Sequence, residues 1–317
     1  MRSGAQTLVL LAGPLTATLL RTLARSPMQQ AELRRAAGSP AQTTLRAQLK
    51  RLSDLGAIEK RRRNRFPGTL DYELTRAGRE LLNVAESLTS WLSAAPADPL
   101  ELGGNEARAA IKAFAEAWSS TMLRALAARP LALTELDQVI GAFSYPSLER
   151  RLGGMRLCGQ VAPFASAGRG TPYMVTEWTR HAVTPLAAAI RWERRYLPQA
   201  TAGLTGIDIE ATFLLALPLV RLEQDQSGSC RIAAELADEE RRRLAGVTVD
   251  ITGGEVSSCV TRLEGSPDSW LLGSPRAWLD AVVEGDAAGL EPGGDCRLAR
   301  SLLRGLRAAF LREGAKV

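Results

Sequence analysis

Thr18-Leu19-Leu20-Arg21-Thr22-Leu23-Ala24-Arg25-Ser26-Pro27 reappears in altered form as Thr121-Met122-Leu123-Arg124-Ala125-Leu126-Ala127-Ala128-Arg129-Pro130. The two stretches lie 103 residues apart and share six of ten residues. The same offset carries Glu32-Leu33 onto Glu135-Leu136, Leu45 and Leu49 onto Leu148 and Leu152, and Gly56 onto Gly159. Tyr72 then falls on Tyr173 at an offset of 101, so the second copy has lost two residues between the glycine and the tyrosine. One offset sustained over about 40 residues marks an internal repeat that organises the first two hundred positions.

Each copy has the same local grammar. Apolar periodicity predicts a helix over 15–25 and over 107–128, closed by Pro27 and Pro130. Short helices follow at 29–37 and 133–141. A break then comes at Gly38-Ser39-Pro40 and at Gly141 through Pro146, with Ser39 and Ser144 as candidate N-caps. Third helices run over 40–55 and 145–157, the first with Leu45, Leu49, Leu52 and Leu55 on one face. Strand pairs at 57–62 with 70–75, and at 159–164 with 172–176, complete each copy. Three helices and a β-ribbon are the parts of a winged helix-turn-helix.

Ala31-Glu32-Leu33-Arg34-Arg35-Ala36, Leu45 through Lys60, and Tyr72-Glu73-Leu74-Thr75-Arg76-Ala77-Gly78-Arg79-Glu80-Leu81 together resemble the HxlR-type winged-helix regulators. The Tyr-x-Leu-Thr-x-x-Gly run is the most recognisable piece. The second copy keeps Tyr173-Met174-Val175-Thr176 and carries Trp118, but has Trp178 or Thr179 where the glycine belongs. The resemblance covers about 12–92 and 107–198. It implies transcriptional regulators that usually work as dimers, with the third helix in the major groove of double-stranded DNA.

Charge separates the copies. The first loop, Glu59-Lys60-Arg61-Arg62-Arg63-Asn64-Arg65-Phe66-Pro67-Gly68, has five cations in ten residues. Such a loop beside a recognition helix suits phosphate or minor-groove contact. A solvated charge run on a surface hairpin is the plain alternative. In the third helix Gln42, Thr43, Thr44, Arg46, Gln48 and Lys50 are candidates to face outward, with donors for phosphates or base edges. The second loop, Val161 through Thr171, keeps one cation, although Arg150, Arg151 and Arg156 stand on the helix before it. Copy two therefore either touches DNA weakly or serves as a pairing module. Arg191-Trp192-Glu193-Arg194-Arg195-Tyr196 reads as an amphipathic helix with Trp192 and Tyr196 on its apolar face, rather than as a nucleic-acid patch.

The bulk numbers agree. Residues 1–100 hold 15 Lys+Arg against 8 Asp+Glu, residues 101–200 hold 12 against 8, and residues 201–317 hold 13 against 18. A basic front suits a polyanion and an acidic back repels one. Leu8–Leu20 is apolar but too short to span a bilayer, and reads as the start of a buried helix. The four cysteines form no CxxC pair, so no metal site is expected and reduced thiols of a cytoplasmic protein are. One histidine, His181, argues against a Ser-His-Asp triad. With no P-loop, dinucleotide fingerprint or GxSxG, no catalytic residue and no cofactor are assigned.

Past Leu197-Pro198-Gln199-Ala200-Thr201 the pattern changes. Strands are predicted at 211–220, 229–236, 246–252 and 255–263, with a hairpin turning at Gly253-Gly254. Ser269 through Ser274 leads into a helix opened by Pro275, and a long helix closes the chain over 295–312. Strands followed by helices argue α+β. Gly273-Ser274-Pro275-Arg276-Ala277-Trp278-Leu279-Asp280, then Gly285-Asp286, Leu290 and Gly293-Gly294-Asp295, is similar to sterol-carrier-protein-like domains. That resemblance implies an apolar cavity for a long hydrophobic ligand. Phe213, Trp270 and Trp278 are candidates to line it, or are ordinary core; the alternative is a closed cavity and a domain that dimerises.

The expected architecture is multidomain: two mainly-α winged helix-turn-helix domains (1–95 and 96–200) and an α+β domain (201–317). The expected function is a DNA-binding transcriptional regulator responsive to an apolar small molecule, acting alone or as a homodimer and not at a membrane. The alternative is a non-catalytic protein that sequesters a hydrophobic metabolite.

Overall fold

Alternating apolar positions and well-placed breakers give this chain fourteen helices and nine strands among the residues that the computed structural model describes, 3–62, 70–164, 170–197, 204–237 and 242–311. They fall into two compact units. Residues 3–115 and 188–201 make the first, and residues 116–187 and 202–317 the second. One division, between 201 and 202, falls beside the expected boundary at 200, and none falls near 95.

The first unit opens with α1 (Ala5–Leu11) and α2 (Thr16–Arg25). The apolar run expected to start a single buried helix is two, because Gly13 and Pro14 interrupt it and the helices meet at 78°. The unit continues through α3 (Gln30–Ala36), α4 (Gln42–Asp54), β1 (Ile58–Arg62), β2 (Leu70–Leu74), α5 (Arg76–Ser93) and α6 (Asn105–Ala115). Leu19, Leu20, Leu33, Leu45, Leu52 and Leu81 are wholly buried and form its core. Each such leucine contributes about 1.5–3 kcal/mol relative to exposure.

The second unit begins with α7 (Ala117–Ala128). The single helix expected over 107–128 is therefore α6 and α7. It breaks at Glu116, whose extended ψ of 146° ends the first and whose carboxylate accepts a hydrogen bond from Trp118 Nε1. Next come α8 (Leu133–Ile140), α9 (Tyr145–Leu157), β3 (Val161–Pro163), β4 (Tyr173–Val175) and α10 (Glu177–His181). Helix α11 (Val183–Tyr196) begins in this unit, and its residues from Ala188 onward belong to the first.

Helix α12 (Gly206–Ala216) occupies most of a segment expected to be a strand, and a 3-10 turn at Leu217–Leu219 follows it. Periodicity alone cannot separate a short buried helix from a buried strand. Here Thr205 caps the helix, accepting from the Asp208 backbone N–H, while Asp208 accepts from the Thr205 backbone and hydroxyl. The helix packs on α7 and on the sheet, and this two-sided burial explains its continuous apolar run. Ser120 donates to Asp208 and Arg124 pairs with Glu210 along the α7 contact.

The remaining elements are β5 (Gly228–Ala237), β6 (Arg242–Thr252), β7 (Glu255–Val260), β8 (Ser269–Gly273), α13 (Pro275–Leu279), a π-helical turn at Asp280–Glu284, β9 (Glu291–Gly294) and α14 (Cys296–Leu311). One sheet takes the order β7-β6-β5-β8-β9, with β5 and β8 parallel and every other pair antiparallel. Cys230, Ile232 and Ala234 alternate with Val247, Val249 and Ile251 on a face that is buried throughout. The hairpin at Gly253 and Gly254 forms as expected, both glycines lying at positive φ. Among the described residues no single helix is long and apolar enough to cross a membrane.

Candidate nucleic-acid interface

The Tyr72-Glu73-Leu74-Thr75-Arg76-Ala77-Gly78 run is a structural knot. The Thr75 backbone N–H donates to the Ala57 carbonyl at 3.1 Å, and its hydroxyl donates to Gly56 O at 2.6 Å and Ala57 O at 3.1 Å. The same oxygen accepts from the Gly78 N–H at 3.1 Å, capping α5. A Cβ on residue 78 would sit 2.0 Å from the Ala57 carbonyl oxygen, so only glycine lets α5 start this close to β1. Gly56, at φ 67°, ends α4 in a left-handed turn, and the Ala57 N–H reaches back to Leu52 O at 2.9 Å. The knot thus fixes the end of α4, the root of the hairpin and the start of α5 against one another.

Helix α3 is set by Glu32, whose carboxylate accepts from the Gln29 N–H at 3.0 Å. A turn leads to α4, with Gly38 at φ 78° and Ser39 at φ 56°. Ser39 was an expected N-cap; α4 instead starts after Ala41, with no side-chain cap. Arg34 Nε donates to Pro40 O at 3.0 Å and holds the turn.

On α4 the leucines at 45, 49 and 52 face inward. Gln42, Thr43, Thr44, Arg46 and Lys50 are exposed, and their side chains make no hydrogen bond or ion pair among the described residues. Gln48 departs from expectation. It is half-buried and donates to Thr16 Oγ1 at 2.8 Å, tying α4 to α2 rather than facing outward. Arg51 was overlooked; it is exposed one residue beyond Lys50, and its place four residues after the exposed Ala47 was the available signal.

The hairpin pairs Lys60 with Tyr72, Arg61 with Asp71 and Arg62 with Leu70. All three cations are exposed. Lys60 Nζ lies 5.5 Å from the Tyr72 ring centre, and Arg61 pairs with Glu73 at 3.1 Å. Arg63 and Arg65 lie outside the described residues.

The second set of elements repeats the knot. The Thr176 hydroxyl donates to Gly159 O at 2.9 Å and accepts from the Thr179 N–H at 3.3 Å. Thr179 stands where Gly78 does, and its own hydroxyl donates to Gln160 O at 2.7 Å. The departure from glycine is thus filled by a hydroxyl bonded to the carbonyl that a bare Cβ would strike in the first set.

The outward face differs. Arg150 is exposed, as expected of a contact residue. Arg151 is half-buried between two rings, 4.7 Å from Trp118 and 4.2 Å from Phe143, and so is not placed for DNA. Ser144 occupies the N-cap position of α9 without a side-chain cap bond, and Leu157 is 90% exposed.

The ligand candidates divide. Phe213 and Trp278 meet edge to face at 4.9 Å, and Trp278 Nε1 donates to Ala233 O at 2.7 Å, so both are core. Trp270 lies on the outer side of β8 from the buried Leu271, over Gly293.

A helix-turn-helix with a β-hairpin at its edge is therefore the class of domain that the first part of the chain forms. Residues 10–97 match the HxlR-like helix-turn-helix family. None of the curated proteins compared with the chain matches it.

Proposed function

We propose that this chain is a sequence-specific, cytoplasmic DNA-binding transcriptional regulator that responds to an apolar small molecule. Helix α4 is the reading element, with Gln42, Thr43, Thr44, Arg46 and Lys50 toward base edges and phosphates. Lys60, Arg61, Arg62, Arg63 and Arg65 are the backbone-contacting wing. The observation that carries this reading is the face of α4. Gln42, Thr43, Thr44, Arg46 and Lys50 are exposed and committed to nothing within the described protein, while the leucines anchor the helix.

Residues 96–200 hold a second winged helix-turn-helix in this reading. Supporting it are matching details: a short bridge to the hairpin from Met28 and from Leu131, a Glu-capped helix start at Gln29 and at Ala132, and the threonine knot. With Arg151 turned inward and one cation left in its loop, this copy serves as a pairing module with weak DNA contact through Arg150. Two unlike heads imply an asymmetric site. If the chain dimerises, half-sites recur at about one helical turn or a multiple of it. The last part of the chain is the ligand-responsive, sterol-carrier-like region.

The test is binding to DNA upstream of the gene, titrated with salt, for the natural chain and for Arg61, Arg62, Arg63 and Arg65 all changed to Ala. Loss of about four phosphate contacts flattens the plot of log K against log salt by about 3–4 units. Tight binding with an unchanged slope removes the wing from the interface. No binding at low salt overturns the regulator reading and favours sequestration of a hydrophobic metabolite.

A further inference from the structure

Within the second unit, the β3–β4 hairpin, the start of α10 and the turn at Leu217–Leu219 enclose an open groove of about 780 Å³. That lies in the size range of small-molecule sites, roughly 300–1,000 Å³. Its apolar walls include Pro163, Phe164, Met174 and Leu219, and its cations are Arg180 and Arg221. Phe164 is 60% exposed, a large ring with little over it.

Arg180 is the unusual member. It is half-buried, and the one hydrogen bond of its side chain among the described residues runs from a terminal nitrogen to Leu214 O at 2.6 Å. Burial pulls its guanidinium below the usual arginine value. The groups facing it are Cys259 and Glu177. Burial pushes the Cys259 thiol to about 12, so at neutral pH it supplies no countercharge. The Glu177 side chain is 84% exposed and lies 3.7 Å from His181, so solvent screens its pull. Arg221, at the rim, already donates to Pro218 O and Val220 O and lies 3.6 Å from Glu255. A desolvated guanidinium without a close carboxylate is costly, and its planar fork matches an incoming carboxylate.

We propose that this groove binds small molecules carrying one carboxylate on a flat apolar body. The carboxylate meets the free edge of Arg180 and the body lies on Phe164 and Met174. This deepens the ligand-responsive half of the function proposed above, moving the ligand away from Phe213 and Trp278. It does not require DNA binding.

The experiment is calorimetric titration of the full chain, without DNA, with naphthalene-2-carboxylate and with its uncharged carboxamide. One carboxylate binds per chain, and the carboxamide binds about tenfold more weakly or worse. Arg180→Gln weakens the carboxylate by about tenfold while leaving the carboxamide within about twofold. Phe164→Ala, at an exposed position, weakens both by about threefold with an unchanged melting temperature. Equal binding of the two probes overturns the proposal. So does natural affinity in Phe164→Ala and Arg180→Gln, or the absence of carboxylate binding at millimolar concentration. Should Arg180→Gln not fold, the probe pair and Phe164→Ala decide. Failure here leaves the salt-titration result on DNA untouched.

Discussion

Gly78 and Thr179 occupy the same place in two knots and meet the same kind of carbonyl in opposite ways. A methyl group at 78 would lie 2.0 Å from Ala57 O, so Gly78→Ala forces α5 away from β1. The expected loss is about 2–4 kcal/mol, read as a lower denaturation midpoint of the first unit. Thr179→Ala removes the hydroxyl bonds to Gln160 O and with the Thr176 hydroxyl and is expected to cost about 1–2 kcal/mol. The requirement for glycine was legible as part of a motif. Its reason was not, because a close backbone approach across some twenty residues leaves no local pattern. A second residue-scale prediction concerns thiols. Burial raises Cys230 to about 11 and Cys259 to about 12. The thiolate is the reactive form, so at pH 8 about one Cys230 in a thousand is ionised, and fewer of Cys259. Both are expected to be alkylated slowly in the folded chain and fast in denaturant, which peptide mass mapping checks. Equal rates in the two states would show that the thiols are not shielded.

At the scale of elements, strongly periodic helices were readable and two-sided burial was not. The leucines of α4 announce one face, and Gln42 through Asp54 is close to the expected 40–55. Helix α12 lost its period because α7 and β6 cover it from two sides. Strand β9, Glu291-Pro292-Gly293-Gly294, has the composition of a turn and pairs only as an edge strand on β8. Its glycine has a packing role, since a Cβ at 293 would lie 2.0 Å from the Trp270 ring. Gly293→Ala is expected to displace either the ring or the strand. Amides of β8 then exchange with deuterium faster, while those of β6 keep their protection. Unchanged exchange along β8 would show that the ring yields without disturbing the edge. Of the candidate interface, the outward residues of α4 were legible from spacing. The inward turns of Gln48 and Arg151 were not, because each depends on a partner distant in sequence, Thr16 in one case and Trp118 in the other.

At the scale of the whole molecule, the repeat and the drift from basic front to acidic back were visible in composition and offset. Of the division into compact units, the break beside residue 200 was visible, and those after 115 and 187 were not. The division places residues 188–201 with the first unit and residues 116–187 with the sheet, an outcome set by long-range packing. Trp192 illustrates this: it is buried, and its Nε1 donates to Ala77 O at 2.8 Å, beside the first knot and 115 residues earlier. The central claim is that the α4 face reads DNA sequence. The most direct test selects from a pool of randomised duplexes with the full chain and, in parallel, with Thr43, Arg46 and Lys50 all changed to Ala. The account predicts that the natural chain enriches one asymmetric motif and that the triple variant, with unchanged melting, enriches none or loses about 10–1,000-fold in affinity for it. The same motif enriched with equal affinity by both proteins would contradict it.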